Sequence, residues 1–315
     1  MSIHFEEKIE MKTTAANNKT QKPNKLTILA DSICDLPQEV ADELGIKIVP
    51  LSVMVGERNF TGIDGDCVSA KTVYDAMRKG QKTSTGQVPP ILFREFFLKE
   101  LERGNDVLQI TVSSALSGSY QSAVSVQNQL AEKFPGNRIY VVDSMSACLG
   151  EGLVAYKTAK FYEKCGDAQK TFEYAQNLVK TVCAMFTVED LKYLRAGGRV
   201  SAAKAIIGTL LNMKPVLHVS ADGKLVPFAK VMGRKKSLGA LLSSLAETMV
   251  PEKNDVIMIG HGDCLDEAKI LGQTITEKTG ISNIIYSFIG PVVGAHSGPG
   301  TIALFFEGEN KGIKK

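Results

Sequence analysis

The chain has little of what most enzymes use. It carries four histidines, at 4, 218, 261 and 296, and six cysteines scattered at 34, 67, 148, 165, 183 and 264. No two cysteines form a CxxC, and no Cys/His group has zinc-like spacing. Buried, reduced thiols in a cytoplasmic protein are therefore expected. No GxxxxGK[ST], no strand-borne GxGxxG, no HExxH and no GxSxG occurs. Ser201-Ala202-Ala203-Lys204 matches SxxK and Lys278-Thr279-Gly280 matches KTG, but the latter reads as a helix end and no SDN accompanies them. No apolar run approaches the roughly 18–20 residues of a membrane span. Basic excess is also missing. The formal charge of +3 comes from the two ends, +2 from residues 1–25 and +1 from 307–315, so residues 26–306 balance. A nucleic-acid partner is not indicated, because that needs a concentrated basic face.

What is present suits a folded α/β protein. At 315 residues, 44% hydrophobic and 23% charged, the chain can bury one large or two medium cores. Residues 1–24 are polar and lack an apolar signal core, so they are expected to be a disordered tail. From Leu26 strands and helices alternate. Leu26–Ala30, Ile46–Val53, Asp106–Val112 and Arg138–Val142 read as strands, with Pro50 placing the second at an edge or bulge. Ser69 caps a helix, Lys82–Pro90 reads as a loop, and Phe93, Phe96, Phe97 and Leu101 mark the core stripe of a helix from Pro90. Short turns between these units imply a mainly parallel sheet covered on both faces. The second half carries a hairpin signal, Asp222-Gly223 between Pro215–Val219 and Lys224–Val231, and so implies a mixed sheet. The expected division is an N-terminal domain over 25–175 and a C-terminal domain over 176–308, sharing a cleft.

Three hydroxyl-rich turns stand out in the first half: Asp31-Ser32, Thr83-Ser84-Thr85 and Ser113–Ser119. The last joins a buried strand to a helix, where backbone N–H groups and the helix dipole favour an anion. It contains no Lys, His or Cys, which favours holding an anion over attacking one. Helix capping is the ordinary alternative use of such residues. The second half offers Gly197-Gly198-Arg199 and a Gly/Pro-flanked His296, read as a loop residue able to donate to an oxyanion. Two other functions remain open on these residues. One is an acyl hydrolase or transferase with Ser117 as nucleophile and His296 as base. The other is a binder of a phosphorylated or sugar-acid metabolite.

An ordered set of short motifs narrows this. It comprises Asp31-Ser32 with Asp35-Leu36; Ile48-Val49-Pro50-Leu51; Lys82-Thr83-Ser84; Ser113-Ser114-Ala115-Leu116-Ser117-Gly118-Ser119-Tyr120; Val142-Asp143-Ser144; Gly197-Gly198-Arg199; Lys214-Pro215; and Gly294-Ala295-His296-Ser297-Gly298-Pro299-Gly300. The set resembles the DegV family of bacterial fatty-acid-binding proteins over residues 26–308. The resemblance implies a two-domain DegV-like α/β fold, a mainly parallel N-terminal sheet and a mixed C-terminal one. It implies a long-chain fatty acid such as palmitate buried between the halves, no cofactor and no catalysis. Thr83, Ser117 and Gly118 would hold the carboxylate, with His296 beside it and Ser84, Ser114 and Arg199 as secondary contacts. It further implies delivery to a fatty acid kinase that makes an acyl-phosphate, and transient membrane contact. Relatives place Gln and Pro soon after the Thr-Ser pair, whereas this chain reads Thr85-Gly86-Gln87-Val88-Pro89 and so implies a differently shaped loop.

Overall fold

The computed structural model describes residues 24–200 and 212–311. Residues 1–23 of the expected tail and the Ser201–Lys204 match lie outside the described residues.

The first sheet is wholly parallel. It contains β1 (Leu26–Asp31), β2 (Lys47–Val49), β6 (Asp106–Thr111) and β7 (Ile139–Asp143), in the order β2-β1-β6-β7. Every residue of β1 and β6 is buried, as strands covered on both faces require. Helices α1 (Gln38–Glu43), α2 (Ala70–Arg78), α3 (Pro90–Leu101) and α4 (Ser119–Ala131) connect it. Ser69 caps α2 through the Thr72 N–H, and Phe93 and Phe97 of α3 are fully buried. The chain direction across the sheet reverses between β1 and β6. Their carboxyl ends therefore form a crevice of the kind where open α/β sheets take ligands.

The second sheet is mixed and six-stranded, in the order β10-β9-β8-β13-β11-β12. Its strands are β8 (Val182–Thr187), β9 (Met213–Val219), β10 (Leu225–Met232), β11 (Ile257–His261), β12 (Ile284–Phe288) and β13 (Ile302–Glu307). The β11–β12 pair is parallel and the other pairs are antiparallel. Helices α8 (Arg234–Thr248) and α9 (Leu265–Thr279) cover its outer face, over a core that includes Leu241, Leu245, Leu271 and Phe306.

Between the sheets runs α5 (Leu149–Cys165), followed by α6 (Ala168–Leu178). Helix α5 touches β1 and β6 on one side and β8, β11 and β13 on the other. One apolar cluster accordingly runs from Ile28 and Ile110 through Leu149 and Leu153 to Met258 and Phe305. The division expected near residue 175 falls within α6.

Three local expectations are corrected. The strand expected over Ile46–Val53 is two strands, because Pro50 has no N–H to extend the ladder. The next N–H, of Leu51, donates instead to Ser32 Oγ at 3.0 Å. The Lys82–Pro90 loop contains β5 (Thr83–Thr85), which pairs with β3 (Val53–Val55) in a small antiparallel sheet completed by β4 (Arg58–Phe60). The His296 segment is not a loop but the end of α10 (Pro291–Ser297). Its Pro and Gly are start and stop signals, Pro291 at the first helical position and Gly298 just past the end with φ 81°. The remaining helix, α7 (Lys192–Ala196), precedes the Gly-Gly-Arg loop.

Candidate functional site

A cavity of about 280 Å³ lies between the carboxyl edge of the first sheet and the inner face of the second. That is close to the lower end of the roughly 300–1,000 Å³ usual for small-molecule sites. Leu51 and Val112 come from the first half; Phe186, Leu194, Val219 and Phe305 come from the second. Polar groups are few: Thr85, Gln87, Ser117, Arg199, His296, Ser297 and Thr301.

Ser117 sits in the turn between β6 and α4. Its Oγ lies 3.1 Å from Ser119 Oγ and accepts the Ser119 N–H at 3.3 Å. Ser119 Oγ in turn accepts the Val88 N–H. Either hydroxyl of this pair can donate to the other; when Ser119 donates, the Ser117 proton is free to point into the cavity. Gly118 caps α4, and a Cβ there would come within 2.1 Å of Gln87 Oε1, so the glycine lets the Gln87 amide lie against the turn. The α4 N-terminus thereby adds partial positive charge beside Ser117.

Thr85 faces the same space and shares a 2.8 Å hydrogen bond with His296 Nε2. Burial first, and the nearby Arg199 charge second, depress the His296 pKa from 6.5 to about 4. The ring is neutral at physiological pH. His296 Nδ1 has no protein partner, so it serves best as the bare nitrogen. On that assignment Nε2–H donates to Thr85 Oγ1, and the threonine proton is released toward a bound anion. Arg199 is exposed; it donates to Gly197 O at 2.6 Å and to Leu116 O at 3.4 Å. Among the described residues no carboxylate pairs with it.

The structure brings Ser117, Gly118, His296 and Arg199 together at the cavity and leaves three expected residues outside it. Thr83 spends its hydroxyl on Ala295 O at 3.2 Å. Ser84 alternates to the other face of β5 and is exposed. Ser114 is exposed, its N–H donating to the Asp143 carboxylate at 3.2 Å. The threonine at the cavity is Thr85, two residues further along the same strand face. Of the three hydroxyl-rich turns, Asp31-Ser32 is structural. Asp31 accepts N–H groups from Ile33 and Val112 and ties β1 to β6, while Ser32 holds Leu51. Burial pushes Asp31 up to about 6 and Asp35 up to about 7, and Glu151 well above its usual range. His261 is buried against the Phe288 ring and does not line the cavity.

Ser117 and His296 share no hydrogen bond; each is engaged by another residue. A nucleophile needs a base within hydrogen-bond reach, and this pair does not supply one. No group of three or more His, Cys, Asp or Glu among the described residues is placed to hold a metal.

A family profile described as "Uncharacterised protein, DegV family" matches residues 25–309. The chain belongs to the DegV family. A DegV domain-containing protein of Clostridium perfringens is 36% identical over 288 residues, covering 91% of this chain and 99% of that protein. One from Lactococcus lactis is 32% identical, covering 88% and 96%. Among solved structures, the fatty-acid-binding DegV-family protein of Thermus thermophilus superposes with a TM-score of 0.78 at 28% identity, covering 90% of this chain and 99% of that one. DegV of Bacillus subtilis, a fatty acid binding protein, gives 0.78 at 26% identity, covering 91% and 100%. The parallel first sheet and mixed second sheet are thus the DegV architecture. In this DegV-family chain no described helix is long and apolar enough to cross a membrane.

Proposed function

We propose that this protein is a carrier of long-chain fatty acids, with the carboxylate held by Thr85, Ser117, the Gly118 end of α4 and His296. The carrying observation is a mostly apolar cavity whose polar groups are hydroxyls, the Gln87 amide and a neutral imidazole, with one guanidinium at its edge that pairs with no carboxylate among the described residues. Such a site neutralises an anion by hydrogen bonds rather than by a buried countercharge. Each buried methylene contributes about 0.8 kcal/mol, so a palmitate-length tail grosses on the order of 10 kcal/mol, from which ordering costs are subtracted. The tail supplies affinity and the head group sets orientation. A small polar metabolite would leave the Phe186–Phe305 wall unused, which disfavours the sugar-acid reading.

With Ser117 and His296 each bonded to another residue, the geometry favours a holder over a hydrolase. A held carboxylate at the cleft is what a cytoplasmic fatty acid kinase would need presented, and loading from lipid would need transient membrane contact. Mass spectrometry of an organic extract of the purified protein tests the carrier reading, with stoichiometric long-chain acid expected. Protein that is free of lipid and also takes up no palmitate in solution would overturn it.

A further inference from the structure

The turn that carries Ser117 is fastened to the opposite wall of the cavity by Arg199, which donates to Leu116 O, and to the β9–β10 hairpin of that wall at one point, Ser113. The β9–β10 hairpin contributes Val219 and Leu225 to that wall, one on each side of its tip. The tip is stiff: Ser220 N–H bonds Lys224 O, Gly223 N–H bonds Ser220 O, and Ser220 Oγ accepts from Lys224 N–H. Strand β10 is an edge strand with no fully buried residue and a register shift between Pro227 and Ala229. The hairpin is therefore a light wall, held from one side.

Ser113 meets it. This fully buried serine donates from Oγ to Gly223 O at 2.9 Å and accepts the Ala115 N–H at 3.2 Å. Its own carbonyl accepts the N–H groups of Leu116 and Ser117, and its N–H donates to Ser146 O. All three polar groups of Ser113 thus shape the Ser117 turn or tie it to a neighbour. Among the described residues, the Ser113–Gly223 bond is the hydrogen bond that joins the hairpin tip to the first half. The contact is close enough to demand glycine: Gly223 has φ +73°, and a Cβ there would stand 2.1 Å from Ser113 Oγ and 3.2 Å from Ser113 Cβ.

We propose that Ser113 is a positioning residue that latches the β9–β10 hairpin over the bound tail and couples it to the Ser117 turn, so that ligand exchange requires this latch to open. The inference rests on the carrier reading. Breaking the latch frees the wall beside the tail and loosens the turn under the head group in one event. Head and tail are then released together.

A reversible covalent latch tests this. In Ser113→Cys/Gly223→Cys the two Cβ positions start 3.2 Å apart, a few tenths short of the roughly 3.5–4.5 Å disulfide range. The protein is loaded with isotopically labelled palmitate under reduction, oxidised, and the bond verified by peptide mapping. Exchange against unlabelled palmitate is expected to slow about tenfold or more, through the dissociation rate, and to recover fully with a thiol reductant. Ser113→Ala is expected to exchange about fivefold faster, the rate equivalent of one net hydrogen bond. Its capacity for palmitate should stay unchanged. Unaltered exchange in the oxidised protein, or an unaltered rate in Ser113→Ala, would each overturn the latch; because Gly223→Cys is strained at φ +73°, Ser113→Ala decides if the disulfide does not form. A wild-type protein that binds no palmitate would instead overturn the carrier reading.

Discussion

The two walls of the cavity are built by different means. On the first-half wall, parallel strands end together and a helix begins, so backbone N–H groups and small hydroxyls converge within one turn. The second-half wall is the inner face of the mixed sheet along its antiparallel strands, and it presents Phe186, Val219 and Phe305. A parallel sheet edge is rich in donors and poor in surface; a sheet face is the reverse. An amphiphile needs one of each. His296 is the exception that joins them, a second-half residue that acts through Thr85 of the first.

The comparison breaks most sharply at its polar side. Thr85→Val with Ser117→Ala removes two hydrogen bonds to a charged group, each worth about 1.5–3 kcal/mol, so palmitate affinity should fall about 100-fold or more. An unchanged thermal midpoint would show that the fold survives, and Thr85→Ser should restore most of the loss at its position. Isothermal titration measures both. On the apolar side, Phe186→Ala should cost about 3 kcal/mol of stability, as large-to-small core changes do. It should weaken long acids more than short ones, a pattern that titration with a chain-length series would show. Thr83→Val is the control between them. Its hydroxyl serves Ala295 O, so a change in affinity beyond about twofold, well under one net hydrogen bond, would place Thr83 in the head-group site after all.

A separate effect, on stability and not on binding, concerns pH. Asp35 is raised by burial from 3.8 to about 7, so the folded protein keeps a proton that the unfolded chain has lost across that window. Stability contributed by this group is present below pH 3.8 and is lost as pH rises towards 7. Asp31 acts in the same direction up to about pH 6. His296, depressed from 6.5 to about 4, acts oppositely and costs stability as pH falls through that range. Asp35→Asn should flatten the decline in urea midpoint between pH 5 and 8 without abolishing the part due to Asp31.

Much of the fold was legible because its main strands are continuous, mostly apolar runs. β1, β6, β8 and β13 are six-residue runs buried throughout, and Asp222-Gly223 marks a two-strand hairpin. The small sheet was not legible: β3, β4 and β5 are three residues each, too short for alternation to register. Helix α10 was hidden because Pro291 and Gly298 look like loop residues until both ends are considered together. At the site, Ser117 and His296 were readable from residue type and context. Thr85 was not, because Thr83 and Thr85 point to the same face of one strand and only the crossing of α10 decides which hydroxyl meets the imidazole. That the carboxylates of Asp31, Asp35 and Glu151 are buried gave no sequence signal, since burial comes from the packing of α5 against the first turn after β1.

Helix α5 has a further consequence. One helix furnishes a face to each sheet, so neither sheet owns a complete core without it. Loss of either layer exposes α5 and uncovers the other, which makes unfolding a single cooperative event instead of two. A protease or a truncation that removed one half would leave the other with half an interior, and the cavity, lying between them, exists only as long as both are folded.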